Sequence, residues 1–554
     1  MEFNVAQVFD AVASAVPARE CIVHGDTQRS YDDVARRTRR LANALRRRGL
    51  GTVVPRDRLR PHESGQDHVA IYLHNGPEYL ETMLGCLMAR VVPFNVNHRY
   101  VAEELTYLLD DAGARGVVFH SRFAPTVAAV RERLDPTALL WQVDDSSGEP
   151  LLDGAEWYES ALAAEPDQLP ADAVAARSPD DLYLLYTGGT TGPPKGVLWR
   201  QADIFVGALG GRRLDSDREW GSLDEVRDNA RNGGARLLPA PPFMHGAAHW
   251  MALNGFANGN TVVVPTTTDR FDPDEVVSLI EAERIDILLI VGDAFGRPLV
   301  EAMERSGRDL GSLLVLVSGG ATLSPGIKDR LLAAVPSMIL LDGLGASEAG
   351  QQARQLSVVG RPATSGVFDP GPGTTILSAD LSRPLEPDES ELGWLAQRGR
   401  VPLGYLGDPD RTATTFPVLG GVRHAVPGDR ARWRSGGGIE LFGRDSATIN
   451  SGGEKIFAEE VERALVAHPS VSDCVVAGRP SSRWGEEVVA VVQLVEGVDA
   501  SDDDLLEEAS RHIARYKLPK SIVRVHHVER APSGKADYRW AAGIVGSAPS
   551  GARP

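Results

Sequence analysis

The residues best suited to chemistry lie in one short segment, Tyr186-Thr187-Gly188-Gly189-Thr190-Thr191-Gly192-Pro193-Pro194-Lys195-Gly196. Glycines let several backbone N–H groups converge on one anion. Threonine hydroxyls add further donors, and Lys195 adds a compact positive charge. Together these describe a loop that holds a polyphosphate. It is not a Walker A loop, which needs Gly directly before the lysine and Ser or Thr directly after it. Here Lys195 stands between Pro194 and Gly196. An ordinary glycine-rich turn is the competing description.

Lysine is rare in this chain. Of 58 basic residues only six are Lys, at positions 195, 328, 455, 517, 520 and 535. A coding bias toward Arg explains the scarcity but not the placement. One of the six closes a second compact motif, Pro532-Ser533-Gly534-Lys535.

Alternating elements must position these residues. The loop follows an apolar strand over 182–185. Spacing predicts strands over 69–75, 91–96 and 116–120, with helices over 77–90 and 102–112 between them. Buried-strand runs follow at 285–291 and 313–317, then a helix over 325–335 and a strand over 338–341. This is the β-α-β texture of sheets covered by helices. Between 365 and 426 the composition turns to Gly, Pro and Thr, which suits a smaller antiparallel or barrel-like part. After about 444 a compact α+β pattern appears. It has helices over 458–467 and 502–516, the latter capped by Ser501, and strands over 472–477, 488–495 and 522–528. The tail from 542 to 554 is small and polar and is expected to be disordered. The expected domains are therefore 1–444, 445–541 and that tail. The Arg-rich stretch 36–48 reads as the solvated face of a helix. The charged stretch 212–236 reads as a surface insertion.

Composition removes several classes. Asp plus Glu is 76 against 58 basic residues, a net charge of −18, which argues against general nucleic-acid binding. Three dispersed cysteines, Cys21, Cys86 and Cys474, suggest neither a disulfide framework nor a zinc site. No apolar run approaches the length of a transmembrane helix. The first residues carry acids and no early base, unlike a signal peptide. A reduced, cytoplasmic protein is the expectation. A homodimer is an assembly the sequence leaves open.

The segment 186–196 resembles the signature loop of the adenylate-forming superfamily, which includes acyl-CoA synthetases, firefly-type luciferases and nonribosomal adenylation domains. Other segments resemble further motifs of that family, in family order. Pro242-Phe243-Met244-His245-Gly246 resembles the segment whose His lines the acid pocket. Gly319-Gly320-Ala321 matches the backbone laid beside adenine. Asp342-Gly343-Leu344-Gly345-Ala346-Ser347-Glu348 resembles the motif whose acid, here Glu348, helps bind Mg²⁺. Gly404-Tyr405 with Thr412 and Thr415 is similar to the next core element. Asp429 stands where the ribose hydroxyls are held, and Gly443-Arg444 marks the junction to the small domain. Gly452-Gly453-Glu454-Lys455 resembles the loop that lines the thioester tunnel. Trp484-Gly485-Glu486 and Tyr516-Lys517-Leu518-Pro519 fit the elements after it. Lys535 matches the catalytic lysine.

The resemblance implies a reaction in two halves. A carboxylate attacks the α-phosphate of ATP to give an acyl-adenylate and pyrophosphate, and the thiol of coenzyme A then displaces AMP. Lys535 would bridge the carboxylate and the α-phosphate. A rotation about 444–446 would exchange Lys535 for the Gly452-Gly453 loop. The wording of several segments is most similar to actinobacterial fatty-acyl and steroid-side-chain CoA ligases, which implies a hydrophobic acid. There are departures. Gly188 stands where many relatives have Ser, Leu344 where many have an aromatic ring, and Ser446 where the hinge is usually Asp or Lys. Phe243, Met244 and Trp250 are candidates for the acid pocket or for core packing.

Other readings compete with this one. Gly345-Ala346-Ser347-Glu348-Ala349 is one residue from a hydrolase nucleophile elbow. His245 and His249, four apart, could be metal ligands, with packing favoured because Gly246 stands where a zincin needs Glu. A ligase that loads a separate carrier protein would share nearly all the motifs. A non-catalytic adenylate-binding protein would be expected to have lost its catalytic residues, but Lys535, Glu348, Asp429 and Arg444 are all retained.

Overall fold

The computed structural model describes residues 1–187, 193–213, 216–361, 364–451, 454–481, 484–531 and 534–547, and only the backbone at 446, 455 and 485. Among the described residues, sheets of fifteen, five and three strands build the large N-terminal part. The class is α/β, as the alternating texture implies.

The large sheet has a parallel heart. Arg236–Pro239, Ile287–Ile290, Val315–Gly319 and Ile339–Ala346 pair side by side in one direction. Helices Pro273–Ala282, Gly292–Ser306 and Pro325–Ala334 cover it, burying Ile280, Leu299 and Leu331. Beyond Ile339–Ala346 the sheet turns antiparallel through Gly350–Ser357 and Val367–Pro370 to Ile439–Arg444. That antiparallel region carries its own small core around Ile376, Leu395 and Trp433. It is the Gly/Pro/Thr-rich part of the sequence.

The five-stranded sheet is parallel and contains His68–Tyr72, Val92–Asn95 and Ala114–His120. The helices between these strands span Pro77–Ala89 and Ala102–Ala112. After Arg444 the chain enters a separate sheet formed by Thr448–Ser451, Glu454–Phe457, Val471–Ser481, Gly485–Leu494 and Ser521–Arg524. Helices Ala458–Val466 and Asp502–His512 pack on one face of it.

Three expectations need correction. The tail does not become irregular at 542, because Tyr538–Ser547 is a helix whose Ala541 and Val545 bury against Val475, Val489 and Val491. Two small apolar residues four apart are enough to dock one turn of helix after another. The stretch 212–236 is not merely an insertion. It contains helix Leu223–Asn232, whose buried Val226 and Ala230 pack in the same core as helix Val5–Ala15. The Arg-rich helix Tyr31–Arg47 is ion-paired rather than simply solvated. Arg36 meets Asp33 at 2.6 Å, Arg37 meets the fully buried Glu81 at 2.8 Å, and Arg39 meets Asp10 at 2.8 Å.

Candidate active site

Strand Leu182–Thr187 returns as Lys195–Arg200, with Thr187 directly opposite Lys195. Gly188, Gly189, Thr190, Thr191 and Gly192, which separate these two strands in the sequence, are outside the described residues. A third strand, Gly404–Tyr405, joins the pair with Tyr405 opposite Val197. That register brings Tyr405 beside the loop exit. The Lys195 ammonium lies 5.6 Å from the centre of the Tyr405 ring, within cation–π range. The Tyr405 hydroxyl donates to Glu348 Oε1 at 2.8 Å. Burial and the neighbouring Glu348 charge push the Tyr405 pKa up, so it remains a donor.

The segments expected beside adenine lie on adjacent strands. Gly319 and Gly343 face each other across the ladder between Val315–Gly319 and Ile339–Ala346. Two opposed glycines leave bare backbone at the end of the parallel strands, where ligands of open α/β sheets bind. Gly320 has φ +87°, a conformation suited to glycine. A side chain at Gly345 would meet the Gly350 carbonyl at 2.4 Å. Ala321 packs against the parallel core, and Leu344 rests against the antiparallel core. Ser347 accepts a hydrogen bond from Trp199 Nε1 at its carbonyl, 3.0 Å away. Asp342 turns inward. Its carboxylate is engaged by Lys328 at 2.5 Å, so its side chain faces the protein and not a nucleotide.

Asp429 and Arg444 also face each other, across strands Asp429–Trp433 and Ile439–Arg444. Arg444 Nε lies 3.6 Å from Asp429 Oδ1. Lys535 comes to this place from the small domain. Its Cε is 3.6 Å from where a Cβ on Gly320 would stand, and Gly534 packs on Val291. The packing of the cleft and the Arg444 charge lower its pKa, while Glu348 and Asp429 act in the opposite direction. Among the described residues, neither Lys535 nor Lys195 has a hydrogen-bond or ion-pair partner.

Arg530 builds the turn that presents Lys535. It grips Asp473 at 2.5 and 2.7 Å and donates to the Gly534 carbonyl at 3.2 Å. From the large domain, Arg297 donates to the Ser472 carbonyl at 2.8 Å. The small domain is thus seated with Lys535 beside Gly320.

His245 stands at the N-cap position of helix Gly246–Ala257 without a side-chain capping bond, and its buried Nε2 has no partner among the described residues. Burial and the nearby Lys535 push its pKa down to about 4, so the ring is neutral at pH 7. His249 uses both ring nitrogens internally. Its Nδ1 bonds the Phe243 carbonyl at 2.6 Å, and Tyr183, itself accepting from Trp250 Nε1 at 2.9 Å, bonds Nε2. This chain leaves no lone pair for a metal and confirms the packing role of His249. Phe243 and Met244 are core residues, and Trp250 is half-buried beside them.

For a divalent cation, the chemistry of the donors is restrictive. Among the described residues, no three His, Cys, Asp or Glu gather in a metal-holding group. Glu348 Oε2 has no hydrogen-bond or ion-pair partner among the described residues. A single carboxylate oxygen fits Mg²⁺ held mainly by phosphate oxygens. Gly452 and Gly453, expected at the thioester tunnel, lie outside the described residues.

Sequence reasoning missed three residues at this site. Tyr405 was visible in its motif, but its link to Glu348 was not. Arg530 stands five residues before Lys535 and is one of many arginines. Lys328 had one signal, the scarcity of lysine.

Residues 9–406 match the AMP-binding enzyme family, and residues 460–535 match the AMP-binding enzyme C-terminal domain. The chain is 51% identical over 540 residues to the medium-chain acyl-CoA ligase Mig of Mycobacterium avium, covering 97% of this chain and 98% of that protein. It is 36% identical over 561 residues to the 3-oxocholest-4-en-26-oate–CoA ligase of Rhodococcus rhodochrous, covering 99% and 97%. The solved anthranilate CoA ligase AuaEII, in complex with anthranoyl-AMP, superposes with a TM-score of 0.81 at 20% identity over 98% of this chain and 97% of that one. The chain belongs to the AMP-binding enzyme family.

Proposed function

We propose that the protein is an ATP-dependent acyl-CoA synthetase for a hydrophobic carboxylic acid, a fatty acid or a sterol-derived side-chain acid. The observation that carries this is Lys535, whose ammonium has no hydrogen-bond or ion-pair partner among the described residues and sits beside Gly320 among Arg444, Glu348 and Asp429. The substrate class draws on the relatives, one named for medium-chain acids and one for a steroid side-chain acid.

In the first half-reaction a carboxylate oxygen attacks the α-phosphorus. One P–O bond forms, the α–β P–O bond breaks, and pyrophosphate leaves. Lys535 holds the carboxylate and the α-phosphate together, and Lys195 with the Thr187 side of the loop holds the outer phosphates. Each hydrogen bond to a charged group contributes roughly 1.5–3 kcal/mol, and the protein's part is to position groups and to offset charge. Gly319, Gly320 and Gly343 leave backbone open beside the base, and Asp429 accepts from the ribose hydroxyls. Glu348, oriented by Tyr405, would hold Mg²⁺, which when bound offsets phosphate charge. His245, neutral, borders the acid. In the second half-reaction the coenzyme A sulfur attacks the acyl carbon, the C–O bond to AMP breaks, and the thiol proton passes to solvent. The small domain turns about 444–446 between the two, and the Gly452-Gly453 loop then lines the thioester path. ATP and coenzyme A as substrates favour a cytoplasmic site of action.

A pyrophosphate-release screen tests this reading, with acids from acetate to a cholesterol side-chain acid, each with and without coenzyme A. Release with medium or longer hydrophobic acids, and acyl-CoA formed only with coenzyme A, is the expected result. Acyl-adenylate that accumulates and is not passed to coenzyme A would favour a ligase that loads a carrier protein.

A further inference from the structure

Lys328 is the one lysine that neither lies in nor adjoins a family-like segment. It lies on helix Pro325–Ala334 and is 0% exposed. Its ammonium meets Asp342 Oδ2 at 2.5 Å, Gln355 Oε1 at 2.8 Å and the Thr364 carbonyl at 2.7 Å. An ammonium has three N–H donors, so none remains for solvent or ligand. Asp342 is 7% exposed and precedes Gly343 on strand Ile339–Ala346. Gln355 is its register partner on Gly350–Ser357, and its amide also donates to Thr364 Oγ1. One buried cation therefore ties together a helix, two adjacent strands and the segment at Thr364.

Burying an ion pair is a poor way to gain stability. Desolvation of two charges offsets much of their attraction, and apolar side chains of similar volume often serve as well. What the pair adds is direction. A leucine at 328 would tolerate a shift of the strand that three directed, charge-assisted bonds resist. The strand so held carries Gly343 opposite Gly319, then Gly345, and leads directly to Glu348.

We propose that Lys328 is a positioning residue for the nucleotide: by holding Asp342 it fixes strand Ile339–Ala346, so that the Gly343–Gly345 backbone and Glu348 meet ATP in one fixed arrangement. This rests on the nucleotide-site assignment proposed for that strand. The acid side of the cleft, around His245 and Trp250, belongs to other elements, so the effect falls on ATP and not on the acid.

The test compares Lys328→Met with the double variant Lys328→Met/Asp342→Asn. ATP binding is measured by calorimetry, KM for ATP and for the acid by pyrophosphate release, and Tm by thermal denaturation. In the single variant a carboxylate is left buried without its partner, which is strongly destabilising. The double variant removes that charge and regains most of the lost Tm. It nevertheless retains a KM for ATP raised roughly tenfold, with the acid KM within about twofold of wild type. A double variant with wild-type ATP affinity, or one with both KM values raised equally, overturns the inference. Wild-type protein that binds no ATP overturns the nucleotide-site assignment itself, and the inference with it.

Discussion

Lys328 and Lys535 bring the same ammonium to neighbouring strand ends, and the protein treats them oppositely. Lys328 is buried with all three N–H groups matched. Lys535 keeps solvent access and has no partner among the described residues, while Arg444 nearby repels it. Even the turns differ in what is held. At Lys535 the backbone is pinned, by Arg530 on the Gly534 carbonyl, and the side chain is left free. The comparison separates two uses of charge. A cation whose donors are all matched inside the fold is architecture. A cation held in place with its donors open is a binding group, and its unmatched charge is a cost that a polyanionic ligand removes.

The comparison can be broken most severely at Lys535. Lys535→Ala should lower acid-dependent ATP–pyrophosphate exchange by about 10²–10³-fold, the usual loss on removing one donor to a developing charge. Thioester formation from supplied acyl-adenylate should be largely spared. Equal loss of both half-reactions would remove the division of labour between the two conformations.

A smaller effect is expected at Glu348, which has one oxygen engaged by Tyr405 and one without a partner among the described residues. Glu348→Gln should shift the Mg²⁺ dependence of pyrophosphate release to concentrations roughly tenfold higher, the loss of about one charged contact. An unchanged Mg²⁺ titration removes Glu348 from the metal role.

The smallest effect sharpens the comparison from the acid side. Glu462 is an enclosed carboxylate with no ion pair among the described residues, although the Arg530 charge acts on it, and it accepts from the Val476 N–H at 2.9 Å and from the Tyr538 hydroxyl at 3.4 Å. Burial raises its pKa to about 8. The folded protein thus holds this proton more tightly than the unfolded chain. Its contribution to stability therefore falls as pH rises from the ordinary carboxylate range to about 8. Glu462→Gln keeps the neutral form, so its Tm should exceed that of wild type at pH 8 and match it at pH 5. An equal difference at both pH values would mean that another group sets the slope.

Much of the framework was legible because its signals are local. Pro at the first turn and an apolar stripe place a helix at 77–90, and the helix is Pro77–Ala89. Ser501 caps Asp502–His512 as its position implies, although the helix ends four residues early and only a short 3₁₀ turn, Arg515–Lys517, follows. The order of motifs located Lys195, Glu348, Asp429, Arg444 and Lys535 individually. What linked them was not legible. Tyr405 reaches Glu348 across 57 residues of chain, and Lys328 reaches Gln355 and Thr364 through a pairing that only the sheet register creates. The terminal helix was missed because Ala541 and Val545 signal burial only once a sheet face exists to receive them.

Because the chain has only six lysines, one measurement addresses the central claim. Each lysine's reactivity toward acetic anhydride can be followed by mass spectrometry, with and without a non-hydrolysable acyl-adenylate analogue. Open donors at the site predict that Lys535 and Lys195 react in the free enzyme and become protected when the analogue binds. Lys328 should be unreactive in both states, and Lys517, paired with Glu460 at 2.7 Å, should not change. Lys535 and Lys195 that stay reactive in the bound enzyme, or a Lys328 that reacts freely, would contradict the account.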